Sequence, residues 1–381
     1  METCTDSFAR LTAPLKHLQC DGNPFLTLTN PFDLQNWTLP IVELLLTAGA
    51  IACLVHAIRW YRQRRDSMNL VVWGSLVLAL LLIEPITYFP QWFGLEAYMG
   101  LTFAHGQFTV QFLYNRLPLY IVAMYPVYGY VAFILVQRTG VLKKYNAFIG
   151  ATSVATGFLV LFEVVDTVGP QWGWWIWNDQ VPQSHPSMGP IPFTSIELFS
   201  IAVPFAIAFV TLLVSRKQPR TGRKIARDIV VVSVLVWPVM MASSMVPTLL
   251  DLVGLSLETA RSVWLWTLIV GCLAITAYAF RGAYQARRSN PELAPAGVDH
   301  DHFGAVCVGV YLVFGVIFWA AALPDYLAAQ NGFTDTGLRI GNLAFGGAAF
   351  LVAIAFTVAA YAGGTRSAAV PDAPESRVNV E

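Results

Sequence analysis

The segment LPIVELLLTAGAIACLVHAIRW, residues 39–60, carries one acid near its start and one arginine near its end, and is otherwise almost wholly apolar. The next five residues, YRQRR, contain three arginines. A run of about 18 or more residues with so few charges is long enough, at about 1.5 Å rise per residue, to cross a hydrocarbon core of about 30 Å as a helix. Backbone groups cannot go unpaired in lipid, so a helix is the expected form. Eight further segments read the same way: roughly 69–89, 117–137, 147–168, 191–214, 228–251, 260–280, 303–325 and 340–362. The expectation is an all-α polytopic membrane bundle of about nine transmembrane helices.

Composition agrees. Of 381 residues, 56% are hydrophobic and 12% charged, against about 25% charged in a soluble domain. The formal net charge of zero gives no electrostatic reason to expect nucleic acid as a partner. No Walker A, GxGxxG or HExxH pattern is present, so neither a nucleotide nor a cofactor is expected. The seventh span has no lysine, which argues against a retinal Schiff base.

Lysine and arginine orient the spans. Loops at one end hold Arg59, Arg62, Arg64 and Arg65; Arg138, Lys143 and Lys144; Arg216, Lys217, Arg220, Arg223, Lys224 and Arg227; Arg281, Arg287 and Arg288; and, in the tail, Arg366 and Arg377. These are 18 of the 23 basic residues. The opposite end holds Arg10, Lys16, Arg116, Arg261 and Arg339. The positive-inside rule puts the richer end in the cytoplasm, the N-terminus outside and the C-terminus inside. Residues 1–38 form an extracytoplasmic segment, 39–362 the membrane domain, and 363–381 a small, polar tail expected to be disordered. Arg281–His302 reads as a polar linker. No cleavable signal peptide is visible. The frequent Ala, Gly, Val and Arg suggest a bacterial inner-membrane protein. Cys4 and Cys20 lie outside, where a disulfide is allowed.

Mapped on this topology, the acids gather at one depth. Glu43, Glu84, Glu163 and Glu197 fall roughly 6–10 Å below the outer surface at about 1.5 Å per residue. Asp166 follows Glu163 at i+3, on the same helix face. Carboxyls inside a membrane are costly, so several in one layer point to a shared polar cavity. A general acid at neutral pH needs a carboxyl that keeps its proton, and crowding away from water is how proteins make one. Single acids near helix ends can instead reach the interface or cap a neighbouring helix.

Two aromatic loops flank this layer. Residues 171–179, QWGWWIWND, include Trp172, Trp174, Trp175 and Trp177 and end in Asp179. They read either as an interfacial belt or as a lid offering indole faces to a lipophilic ligand or a carbocation. Thr194 or Ser195 could cap the span that follows. The other loop contains His105, the best candidate for a proton shuttle near pH 7, and Tyr114, Asn115 and Arg116. Arg116 is read first as neutralising Glu84 or Glu163, and second as an anion-binding group. The run Asp299-His-Asp-His302 could hold a divalent metal but reads more simply as a solvated loop, and no metal is expected.

Glu84-Pro-Ile-Thr-Tyr, His105-Gly-Gln-Phe-Thr, Arg116-Leu-Pro-Leu-Tyr, Trp174-Trp-x-Trp and Gly189-Pro-Ile-Pro-Phe together resemble the layout of two groups of integral-membrane proteins, the carotenoid hydratase-like family and the spirocyclase-like family of actinobacterial polyketide pathways. The resemblance covers roughly residues 80–205. It implies proton addition or removal on a long apolar isoprenoid or polyketide, and it rests on Glu84, Asp166 and the Trp174–Trp177 segment.

The leading expectation is therefore a membrane enzyme performing hydration, dehydration or cyclisation on a lipophilic substrate. Glu84, Glu163 and Asp166 would act as acid and base, with His105 as shuttle, while Glu197 would hold one of them protonated. The alternatives are a proton-coupled transporter and a non-catalytic membrane partner. A transporter needs polar groups reaching the inner face, and few are visible there: His56, Ser243 and Ser244.

Overall fold

The computed structural model of the chain describes residues 3–15, 18–215 and 217–362; the tail expected to be disordered lies outside them. The protein is 69% helix and 5% strand. Among the described residues, nine helices are long and apolar enough to cross a membrane, as an integral membrane protein requires. They are α2 (Thr38–Arg64), α3 (Met68–Tyr88), α4 (Leu119–Thr139), α5 (Ala147–Asp166), α6 (Phe193–Val214), α7 (Gly222–Leu252), α8 (Leu257–Ser289), α9 (Phe303–Ala328) and α10 (Leu343–Ala362). A short α1 (Asp6–Thr12) precedes them. The spans expected from hydropathy are all present. Two run past their apolar stretch: α7 starts at Gly222, and α8 continues through half of the supposed linker to Ser289. The rest of that linker, from Pro291 to His300, contains two short helical turns.

α4 and α5 form the centre, with 83% and 89% of their apolar windows buried, against 22% for α7. α2 and α3 pack on α4, while α6, α8 and α10 pack on α5. Small residues let these helices come close. At Gly157 a methyl group would strike the Phe356 ring of α10 and the Cβ of Ala132 on α4.

The all-α expectation needs one correction, because strands cap the end of the bundle with fewer basic residues. β2 (Phe103–His105) pairs antiparallel with β5 (Trp175–Trp177), in register Phe103↔Trp177 and His105↔Trp175. β1 (Thr27–Leu28), β3 (Val110–Phe112) and β4 (Leu117–Pro118) form a second small sheet. Two or three residues per strand are too few to show an alternating pattern, so hydropathy does not reveal them. Side chains alternate across a strand. Phe103, His105, Trp175 and Trp177 accordingly face the helices, while Ala104 and Ile176 face away and pack with Phe8 and Leu15 beside α1. A Cys4–Cys20 disulfide closes the segment that carries α1.

Candidate active site

The β2–β5 pair roofs a cavity of about 40 Å³, room for about three waters. Glu84 enters it from the last turns of α3 and Asp166 from the end of α5; His105, Trp175 and Trp177 descend from the roof, and Tyr125, Ser195 and Phe199 complete the wall. Pro85, inside α3, follows Glu84 directly. Thr87 donates to the Glu84 carboxylate at 3.1 Å. The Tyr88 hydroxyl lies beside the same carboxylate and meets His105 Nδ1 at 2.9 Å, so Glu84, Tyr88 and His105 form one polar string. The Trp175 indole is turned toward Asp166, and the Trp177 indole nitrogen makes no hydrogen bond within the protein. Buried polar atoms are nearly always satisfied, so this void is suited to a ligand that accepts from indole and meets a carboxyl.

The other acids point elsewhere. Glu163 is fully buried, but its Oε1 accepts from Ser200 at 2.6 Å and it does not line the cavity. Glu197 turns toward α7 and α8, accepting from Ser243 at 2.6 Å and from the Trp264 indole at 3.2 Å. It is not placed to hold Glu84 or Asp166 protonated. Glu43 accepts from Thr109. Glu43 and Glu197 thus occupy environments of their own, while Glu163 stays close to Asp166 on the same helix. Residues Ile196–Ala202 wind as a π-helix, and Val203 N–H reaches back to Leu198 rather than to Phe199. Pro204 follows, with no N–H to give to Ser200. Ser195 and Phe199, four residues apart, face the cavity, while Glu197, half a turn from each, faces α7 and α8. Such π-helical turns recur at functional sites. Ser195 is a wall residue and no side chain caps this helix, whose N-cap is Pro192.

The aromatic loops do not form an exposed belt. Trp174 is 1% exposed and donates to Thr38 at 2.7 Å. Trp172 donates to the Phe318 carbonyl at 3.3 Å and meets Trp37 edge-on. Neither reaches the cavity; both fasten the roof to the helices. Asp179 pairs with Arg339 at 3.0 Å, and Gln180 together with Arg339 holds its carboxyl below the usual range.

His105 is buried, and desolvation pushes its pKa down to about 3. It is neutral at pH 7, so it can relay a proton between its two nitrogens without storing one. Tyr114, Asn115 and Arg116 also lie away from the cavity. Leu113, Tyr114 and Asn115 turn the chain through three successive positive φ angles, 51°, 56° and 63°. The Tyr114 ring stands edge-on to Phe89 and Trp92. Arg116 is 4% exposed, lies 3.3 Å over the Phe8 ring and donates to the Thr3 carbonyl. Among the described residues no carboxylate pairs with it, which removes the neutralising role expected for it. Desolvation lowers its pKa to about 9.

The Asp299–His302 run is committed to structure. Asp299 pairs with Arg287 at 2.9 Å, and Asp301 accepts from His56 at 2.9 Å. Among the described residues no group of three or more metal-ligating side chains assembles.

The chain matches no protein-family model, no curated protein and no solved structure. The site therefore has to be read from its own geometry.

Two features were hidden in the sequence. One is an outer chamber of about 700 Å³ whose wall includes Arg10, Glu96, Asn178, Asp179 and Arg339. Trp177 lines both this chamber and the carboxyl cavity. The other is a polar chain at the arginine-rich end. Gln137 donates to Asn69 at 3.0 Å, Asn69 to the Tyr130 hydroxyl at 3.2 Å, Tyr130 meets His56 at 2.6 Å, and His56 meets Asp301. Only Gln137, Asn69 and Tyr130 are fully buried. These polar residues lie on three helices and one loop, far apart in the chain, and so form no motif.

Proposed function

We propose that the protein is an integral-membrane enzyme using carboxylate acid–base chemistry on a lipophilic, alkene-bearing substrate of isoprenoid or polyketide type. The observation that carries this reading is the pair Glu84 and Asp166, from two different helices, in one aromatic-walled cavity under the Trp strand. In the hydration direction Asp166 gives its proton to an alkene carbon. The cation forms against the faces of Trp175 and Trp177, where indole stabilises positive charge. A water held by indole N–H adds its oxygen to the cation and its proton passes to Glu84; that proton then returns to Asp166 through water in the shared cavity, which restores both carboxyls, with Tyr88 and His105 exchanging the Glu84 proton. Alkene and water become alcohol with no oxidant or metal. Dehydration is the reverse, and cyclisation replaces the water by a second nucleophile of the substrate. Because about 40 Å³ does not hold such a molecule, the substrate reaches the carboxyls by displacing Trp177 from the outer chamber side. The resemblance to the hydratase-like and spirocyclase-like families points to the same chemistry, and the arginine distribution supports a site facing the outer side of a bacterial inner membrane.

Lipid extracts from cells with and without the gene test this. The expected result is an altered apolar metabolite, restored by wild type but reduced at least about 100-fold with Glu84→Gln or Asp166→Asn, the usual scale for losing a general acid or base. Glu197→Gln should retain activity within about threefold. Restoration by both cavity variants would overturn the proposal.

The polar chain from Gln137 to Asp301 favours one second reading, a proton-coupled transporter, because such a protein needs polar groups at both ends. Unchanged lipids with a proton-dependent uptake defect, abolished by His56→Ala, would select it.

A further inference from the structure

On the outer surface of the bundle, α8 and α10 diverge over α5 and leave a groove of about 420 Å³. Its walls are apolar: Leu273 and Phe280 from α8, Val352 and Phe356 from α10. Its floor offers no free polar group, since the Thr156 hydroxyl is bonded to Thr276 at 2.7 Å. The groove runs from Val352 to Ala362 along α10. Ten residue steps at about 1.5 Å make about 15 Å, half of a hydrocarbon core of about 30 Å. It is therefore one leaflet deep.

The mouth differs from the walls. Arg281 and Tyr284 stand there, at the end of the bundle where most basic residues lie. Arg281 is exposed, and among the described residues it has no acidic partner within ion-pair distance. Arg288, two helical turns further toward the same end, donates to the Tyr284 hydroxyl at 2.6 Å. The mouth is cationic and lies at the end of the apolar part of α8. Basic pockets between membrane helices on this side suit anionic headgroups.

We propose that this groove binds one anionic phospholipid of the leaflet at the arginine-rich end, with an acyl chain between α8 and α10 and the phosphate on Arg281. Two other occupants fit less well. The residues after Ala362, GGTRSAAVPDAPESRVNVE, carry too many polar and charged groups to lie at hydrocarbon depth. A second copy of the chain would leave Arg281 without a partner at its own cationic end. The proposal is independent of the carboxyl site.

Native mass spectrometry of the full chain, released from vesicles of equal phosphatidylglycerol and phosphatidylcholine, tests it. The expected result is one retained lipid, predominantly phosphatidylglycerol. Arg281→Gln should lower that preference about fivefold, the effect of one basic residue at a lipid surface, while leaving the number of retained lipids unchanged. Ala359→Trp, which fills the groove, should abolish retention of both lipids. Arg62→Gln, an exposed arginine at the same end but outside the groove, should change nothing. The proposal is overturned if Arg281→Gln and Arg62→Gln behave alike, if Ala359→Trp keeps its lipid, or if Ala359→Trp instead converts a dimer to a monomer.

Discussion

The roof of the cavity should loosen in acid, and His105 sets by how much. In the closed state desolvation holds its pKa at about 3, whereas an opened strand exposes it to water at about 6.5. Only the open state then binds the proton as pH falls below about 6.5, so opening is favoured progressively down to about pH 3. Linkage gives the magnitude: between pH 7 and pH 5 the closed roof loses about 2 kcal/mol, or about 25-fold in its closing equilibrium. The loss is absent above neutral pH because the histidine is neutral in both states there. Hydrogen exchange of peptides spanning 101–112 and 170–180 reads this equilibrium, with protection factors corrected for intrinsic rate at each pH. His105→Gln keeps a polar side chain at the site but cannot titrate. The expected outcome is a fall in protection about 25-fold larger in wild type than in His105→Gln. Equal falls in the two proteins would refute the argument, because acid would then be acting through other groups.

Three further outcomes follow from the geometry. With Cys53, Cys272 and Cys307 replaced, a Ser195→Cys probe in the cavity should resist a charged thiol reagent, and adding Trp177→Ala should raise its labelling at least about tenfold; equal labelling would mean that Trp177 does not partition the two chambers. Replacing Cys4 and Cys20 by Ser removes a cross-link spanning 16 residues, worth about 3 kcal/mol, and should speed limited proteolysis of the segment before Thr38 while α2–α10 stay resistant. Gly106→Ala should destabilise by about 1–3 kcal/mol, seen as a lower thermal midpoint, because its methyl would lie 2.5 Å from the Gly173 carbonyl oxygen, and backbone cannot give way as a flexible side chain can.

Much of the bundle was legible in the residue order because each span is a local quantity. About 20 apolar residues in a row state their own length and depth, whatever surrounds them. That Glu84 and Asp166 lie near the ends of their helices was legible for the same reason. Azimuth was not. Glu163 is bonded to Ser200 and Glu197 to Ser243. Which neighbour an acid meets depends on how helices are arranged around α4 and α5. The surroundings of Arg116 and His105 were illegible for a related reason. A charged or titratable residue in a loop reads as solvated, whereas here the N-terminal segment folds over Arg116 and strand pairing carries His105 inward.

The order of residues alone determined the number of helices, their depths and their pattern of flanking arginine, since these follow from counting apolar length against the thickness of a bilayer. Tertiary structure alone decided that Glu84 and Asp166 share a cavity, that Trp177 lines both it and an outer chamber, and that the tryptophan loop is a strand. Those facts depend on contacts between residues far apart in the chain, such as His105 with Trp175, whose pairing energy appears only once the helices have brought the two loops together.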